Sequence, residues 1–362
     1  MNRQLRAARK RFLHVQPLET RRVMAGNVLA EVIDGTLYID GDDQVNGIAI
    51  YGTGTPGEVR VTGTPAVAGD VTYLNDQTGH LTFAVTSDIV IRMGAGNDGV
   101  ELNNVNIPRD LTIDTGDGLD RVSLGSVIGP DGRPVAPYIA WPAAGVVVPG
   151  AMVLRPGQTP TYQVGEVLNP LYTPLNQSLG SVFVTRDLSI DTGNASDYVY
   201  LGYTQVAGNY ALRSGDGDDV FVVRALSARN LDVGMGRGND LANIASLTTR
   251  VQMTIETGFG DDFLSFANSH ARGPAAFLGG HDNNQFYIGT SVFSGTLYAG
   301  MGADHDRVTI TSSMLLGNST FIGGTGSDRF DINYSFGRFV SVDLGTAVDA
   351  LVVRGSALDN IY

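Results

Sequence analysis

Short runs in which every second residue is apolar recur along the chain, each set beside a cluster of glycine and aspartate. Residues 213–223, RSGDGDDVFVV, are one example. Aligning the chain on Gly-x-(Gly)-x-Asp places the first glycines at Gly94, Gly116, Gly193, Gly215, Gly236, Gly258, Gly280, Gly302, Gly324 and Gly345. Apart from one gap of 77 residues, the spacing is 21 or 22. Two residues after the aspartate stand Val100, Val122, Val199, Phe221, Ala242, Leu264, Phe286, Val308, Phe330 and Leu351. Positions four residues after it (Leu102 to Val353) and three before the first glycine (Ile91 to Val342) are apolar in every repeat as well. Apolar residues at i and i+2 mark a strand with one buried face. Each repeat therefore has a strand before the turn and a strand after it. Weaker stretches such as Val105-Asn106-Ile107 and Val182-Phe183-Val184 supply a third.

Strands of four or five residues, joined by turns and repeated at a fixed period, predict an all-β parallel β-helix, or β-solenoid. Its coils have about 22 residues and stack about 4.8 Å apart. Residues 27–93 lack the motif except for an echo at Gly41-Asp42-Asp43, but they alternate in the same way. We take 27–124 as an N-terminal cap and first coils, 125–180 as a Pro-rich insertion filling the 77-residue gap, and 181–362 as further coils. That division predicts about 13 coils and a rod about 60 Å long. The insertion holds nine of the 14 prolines and the single tryptophan, Trp141, and suggests a hairpin near VVVPGAMVLRPG. If it binds a glycan or a partner, Trp141, Tyr138 and Tyr162 are the candidates.

Charge refines this picture. Residues 1–26 form a basic segment with seven of the 24 basic residues and one acid, which leaves 17 bases against 36 acids in the body. Such a body repels nucleic acid and anionic membrane and attracts cations. No run of eighteen apolar residues is present, so the sequence predicts no membrane span. Lys10 is the sole lysine, which removes lysine-based catalysis from the body, and cysteine is absent. The segment Leu18-Glu19-Thr20-Arg21-Arg22-Val23-Met24-Ala25 resembles the N-terminal signature of large exported planctomycete proteins with repetitive β-rich bodies. The resemblance implies an extracellular or cell-surface location.

The acidic turns raise the main chemical question. Equivalent residues of a parallel solenoid stack in a column, and carboxylates about 5 Å apart repel by about 1 kcal/mol in water and about 3 kcal/mol at an effective dielectric of 20. Calcium offsets that repulsion, since it takes six to eight carboxylate and carbonyl oxygens. The candidate metal ligands are Asp98, Asp120, Asp197, Asp219, Asp240, Asp262, Asp306 and Asp328, with Asn284 in the same column. Gly323-Gly324-Thr325-Gly326-Ser327-Asp328-Arg329-Phe330-Asp331 resembles the nonapeptide of RTX, haemolysin-type calcium-binding repeats. The resemblance implies calcium bound between successive turns by the motif aspartate and loop carbonyls. Those repeats recur every nine residues, however, whereas here one motif occurs per coil, and Ala195, Asp282, Asp304 and Ala347 replace second glycines. The other reading is that each aspartate supports its turn through hydrogen bonds to backbone, with Arg121, Arg307 and Arg329 neutralising the column.

These features together predict a non-enzymatic exported or cell-surface β-solenoid, structural or adhesive, with calcium in its turns. Its expected partners are a surface polysaccharide or another surface protein. A carbohydrate-active β-helix (polysaccharide lyase or glycoside hydrolase) is an alternative, and a metal-free structural solenoid is another. Catalysis would call for a local break in the repeat. The nearest is Gly280-His281-Asp282-Asn283-Asn284 beside Asp304-His305-Asp306, whose histidines suit a transition metal or acid–base role.

Overall fold

The computed structural model describes residues 26–64, 71–125, 127–128, 134–135 and 181–358, and no helix occurs among them. The expected β-solenoid is present. Strands of successive coils pair in parallel, residue for residue at the motif period. The column Val100, Val122, Val199, Phe221, Ala242, Leu264 is continuous in this register, and it runs on through Phe286, Val308 and Phe330 to Leu351. Of the thirty apolar motif positions, all are buried except those of the final coil, Val342, Leu351 and Val353. Coils of 21 residues fit the stack through register shifts between Ala228 and Asn230 and between Leu315 and Asn318.

The N-terminal part differs from the expectation. Thr36–Asp40 and Gly47–Gly52 pair in parallel with the strands of the next coil. Beneath them Asn27–Ile33, Glu58–Gly63 and His80–Ala84 pair antiparallel and close that end. An alternating apolar pattern is the same in a solenoid strand and a hairpin strand, so the sequence count was too high. About ten coils are formed, a rod of about 50 Å.

The insertion leaves and returns at one point. Gly202 and Tyr203 are consecutive, and their neighbours one coil away are Gly125 and Ser181. The excursion is thus 126–180, since Gly125 still belongs to the coil. Trp141, Tyr138, Tyr162, the expected hairpin and the N-terminal signature all lie outside the described residues.

A second corner was not anticipated. Ser269, Ser291, Ser313, Ser335 and Ser356 stack there, and each hydroxyl oxygen accepts the backbone N–H of the equivalent residue in the preceding coil. The residue before each serine turns the chain with positive φ, as at Asn268 and Thr290. The 22-residue recurrence of serine was visible in the sequence.

Inside the coils, aromatic rings fill the middle of the rod. Phe277 lies 5.2 Å from Phe266, 6.0 Å from Phe293 and 6.4 Å from Phe286, centroid to centroid. Phe277→Ala leaves a cavity that neighbouring coils cannot fill without breaking register. The expected loss is about 3–5 kcal/mol, to be measured by denaturant unfolding.

Candidate functional site

The glycine corner is built on close backbone approach. Gly258, at φ 109°, lies over Gly236, and a Cβ there would sit 2.0 Å from the Gly236 carbonyl oxygen. Glycine is required at this point by both conformation and space. The motif aspartate stands two residues before the first inward apolar position of the next strand, so its side chain also points inward. All eight candidate ligands are at most 3% exposed.

Each of these carboxylates bonds to the coil before it. The backbone N–H of Asp98 donates to Asp120 Oδ1 at 2.8 Å, and that of Asp120 to Asp197 Oδ1 at 2.8 Å. The series continues through Asp219, Asp240, Asp262, Asn284, Asp306 and Asp328 to Asp349, at 2.7–3.2 Å. Its first member is Asn46, whose N–H donates to Asp98 Oδ1. These are bonds from backbone to side chain, and they run between coils.

A complementary ladder runs on the outside, one residue earlier. Asn239 N–H donates to Asp218 Oδ1, Asp261 N–H to Asn239 Oδ1, and Asn283 N–H to Asp261 Oδ1. Here the side chain accepts from the following coil, the opposite direction to the inner ladder. Consecutive N–H groups thus point to opposite neighbours, and each meets a side-chain acceptor.

The second oxygen of each inner aspartate carries the chemical problem. Among the described residues, Oδ2 of all eight candidates is buried without a hydrogen-bond partner. The two asparagines in the column indicate what it faces. Asn284 Nδ2 donates to the turn carbonyls of His281 and Asp282 at 3.1 and 3.2 Å, and Asn46 Nδ2 donates to those of Asp42 and Gln44. With Oδ1 fixed by the ladder, Oδ2 of an aspartate takes the place of that amide nitrogen. By analogy with those amides, Oδ2 faces the carbonyl side of the turn, where asparagine supplies an N–H₂ donor. The hydroxyls of Thr115, Thr192, Ser214 and Thr257 ease the conflict at Asp120, Asp197, Asp219 and Asp262 without forming a well-aligned hydrogen bond, and a proton or a cation would resolve it.

The electrostatics agree. Burial pushes the carboxyls of Asp98, Asp197 and Asp306 up to about 8 and that of Asp240 up to about 9, with neighbouring carboxylates adding to the rise. Asp219 and Asp262 are pushed by burial to about 7 and Asp120 to about 6. Asp328 is raised for the same reason. In each case the N–H bond to Oδ1 opposes the rise.

The arginines named above do not neutralise the column. Arg121 lies over the Tyr198 ring at 5.7 Å, while Arg307 and Arg329 both bind Asp331, on the outer face of a strand. Burial would raise the Asp331 carboxyl, but the Arg329 and Arg307 guanidinium groups hold it below the usual range. Arg109 and Arg186 pair with Asp88 and Asp110 at another corner. The histidines at the repeat's irregular turns are also engaged. His281 stacks on Phe259 at 4.7 Å, with Arg237 on the far side of that ring, and His305 Nδ1 accepts the Ser327 N–H. Asp282 and Asp304 accept backbone N–H groups of the preceding coil. These side chains act as links between coils, and no acid–base pair stands out among them. Among the described residues no three His, Asp or Glu side chains converge on one metal position, so a cation at the corner would depend on backbone carbonyls. No helix there is long and apolar enough to cross a membrane.

Without metal, the raised carboxyls set the pH response. An unfolded aspartate loses its proton near pH 3.8, while these folded carboxyls keep theirs to between pH 6 and 9. The folded chain holds more protons across that window, so stability falls as pH rises through it. In chelator, the melting temperature should drop by about 10 °C or more between pH 5 and pH 9. A flat or rising profile by thermal melting would show that the ladder is not buried as described. A second check is Asp262→Ala, which strips the Asp240 N–H of its acceptor and should cost about 1–3 kcal/mol in the same melts at pH 5.

No protein-family model, curated protein or solved structure matches the chain.

Proposed function

We propose that the protein is a non-enzymatic, exported or surface-located β-solenoid, a structural or adhesive rod whose glycine corners take up calcium. The carrying observation is the row of buried Oδ2 atoms without a well-formed hydrogen bond, in the column where Asn284 turns its amide nitrogen to two turn carbonyls. A carboxylate oxygen beside carbonyl oxygens is the donor set of a hard cation. Asp98, Asp120, Asp197, Asp219, Asp240, Asp262, Asp306 and Asp328 would each contribute one oxygen, while Oδ1 keeps its bond to the neighbouring coil. Export is supported by the resemblance of residues 18–25, and an acidic body suits a partner such as a surface polysaccharide or another surface protein.

A metal-free structural solenoid is the second reading, favoured by Asn46 and Asn284, which complete the corner with an amide alone. Protonated aspartates would do the same.

Melting in EGTA, in millimolar calcium and in millimolar magnesium at pH 8 separates the two readings. Calcium-specific stabilisation of about 10 °C or more is expected. The double variant Asp240→Asn, Asp262→Asn should lose a large part of that gain while folding normally in EGTA. No calcium response in the parent, together with a variant more stable than the parent in EGTA, would overturn the calcium reading in favour of the metal-free one.

A further inference from the structure

The residue just before the first motif glycine faces inward, two places after the last buried apolar residue of its strand. The glycines that hold this place show what a side chain there meets. A Cβ on Gly323 would fall 2.4 Å from Asp328 Oδ2, and one on Gly279 would fall 3.1 Å from Asn284 Nδ2, the counterpart of Oδ2. The side chain before the glycine therefore decides what lies beside the second carboxylate oxygen of its own corner.

Two chemistries dominate the place. Thr115, Thr192, Ser214 and Thr257 bring a hydroxyl to the corners of Asp120, Asp197, Asp219 and Asp262, while Met93, Met235 and Met301 bring a thioether to those of Asp98, Asp240 and Asp306. All seven are at most 2% exposed. Three of the hydroxyls reach a backbone carbonyl of the next coil: Ser214 Oγ that of Met235 at 3.0 Å, Thr257 Oγ1 that of Gly279 at 3.0 Å, and Thr192 Oγ1 that of Ser214 at 3.3 Å. Among the described residues, Thr115 Oγ1 is buried without a well-aligned partner. With its proton on a carbonyl, a hydroxyl presents a lone pair beside Oδ2. That oxygen is a hard ligand of the kind calcium takes, whereas a thioether sulfur is soft and suits other metals.

Resting on the reading of the glycine corners as calcium sites, we propose that the residue before the first glycine sorts them. Calcium enters first at Asp120, Asp197, Asp219 and Asp262, where Thr115, Thr192, Ser214 or Thr257 adds a hydroxyl oxygen to the carboxylate and carbonyls. The corners of Met93, Met235 and Met301 offer one oxygen fewer and fill at higher calcium concentration. Asp120, Asp197 and Asp219 stand in consecutive coils, so most of the first-filled sites form one segment of the rod.

Calorimetric titration of the full chain with calcium at pH 8 tests this. The parent should show a tighter and a weaker class of site. The variant Thr115→Val, Thr192→Val, Ser214→Ala, Thr257→Val removes the four oxygens at nearly constant side-chain volume. It should lose the tighter class, its half-saturation moving about tenfold or more to higher calcium. Met235→Thr should enlarge the tighter class, which a purely structural hydroxyl would not do. An unchanged titration in the folded four-site variant overturns the proposal and leaves calcium binding intact. No calcium uptake by the parent overturns it together with the calcium reading. If circular dichroism shows that the four-site variant does not fold, Thr192→Val and Met235→Thr decide, and parental titrations in both overturn the proposal.

Discussion

The hydrogen bond from one coil's backbone N–H to the next coil's inner aspartate holds the glycine corner together. A parallel ladder runs unbroken along each strand, but a tight turn rotates N–H groups out of line with the carbonyls above and below. At the corner the chain substitutes side chains for those carbonyls, Asp Oδ1 inside and Asn, Asp, Ser or His outside. Glycine is the other half of the arrangement. The coils approach so closely that a Cβ at Gly116 would fall 1.7 Å from the Gly94 oxygen. A buried N–H without a partner costs about as much as a lost hydrogen bond, so the aspartate is a structural requirement before it is anything else.

Meeting that requirement from inside the coil creates the electrostatic conflict. Eight carboxyl groups are drawn out of water in one row, and the second oxygen of each has no well-aligned hydrogen bond. The arginines are placed elsewhere, over Tyr198, on Asp331 and at the Asp88 and Asp110 corner. Burial raises the pKa of these carboxyls and so favours a neutral row. The two oxygens of each side chain thus divide their roles, Oδ1 for the fold and Oδ2 for whatever neutralises the row.

Much of this was legible from the sequence. The 22-residue period and the apolar columns specify a solenoid because a shift of one residue would turn every apolar side chain outward. The same parity placed the aspartates inside, since Asp98, Val100 and Leu102 share a face of one strand. That signal is easily passed over because aspartate beside glycine reads as an exposed turn. The serine corner was legible from its own period. Other features were not. The antiparallel closure at Asn27–Ile33 and Glu58–Gly63 shares its alternating pattern with true coils. The pairing of Arg307 and Arg329 with Asp331 depends on which side of the sheet each side chain leaves, and so on the register between coils.

The chain contains its own comparison between aspartate and asparagine. Both are nearly the same size, both offer Oδ1 to the N–H of the preceding coil, and both occur in the inner column. Asparagine completes the corner without further help, as Asn284 does through its amide. Aspartate in the same place lacks that amide donor, and burial raises its pKa; nearby hydroxyls, as at Thr115 and Thr257, ease the cost at some turns, and a proton or a cation would remove it. If the corner served the fold alone, asparagine would be the cheaper residue at neutral pH, and no part of the backbone geometry rules it out. Aspartate nevertheless occupies the other eight buried positions of the column. Negative charge is the one property it has there that asparagine lacks, and the proposed calcium would give that property a use.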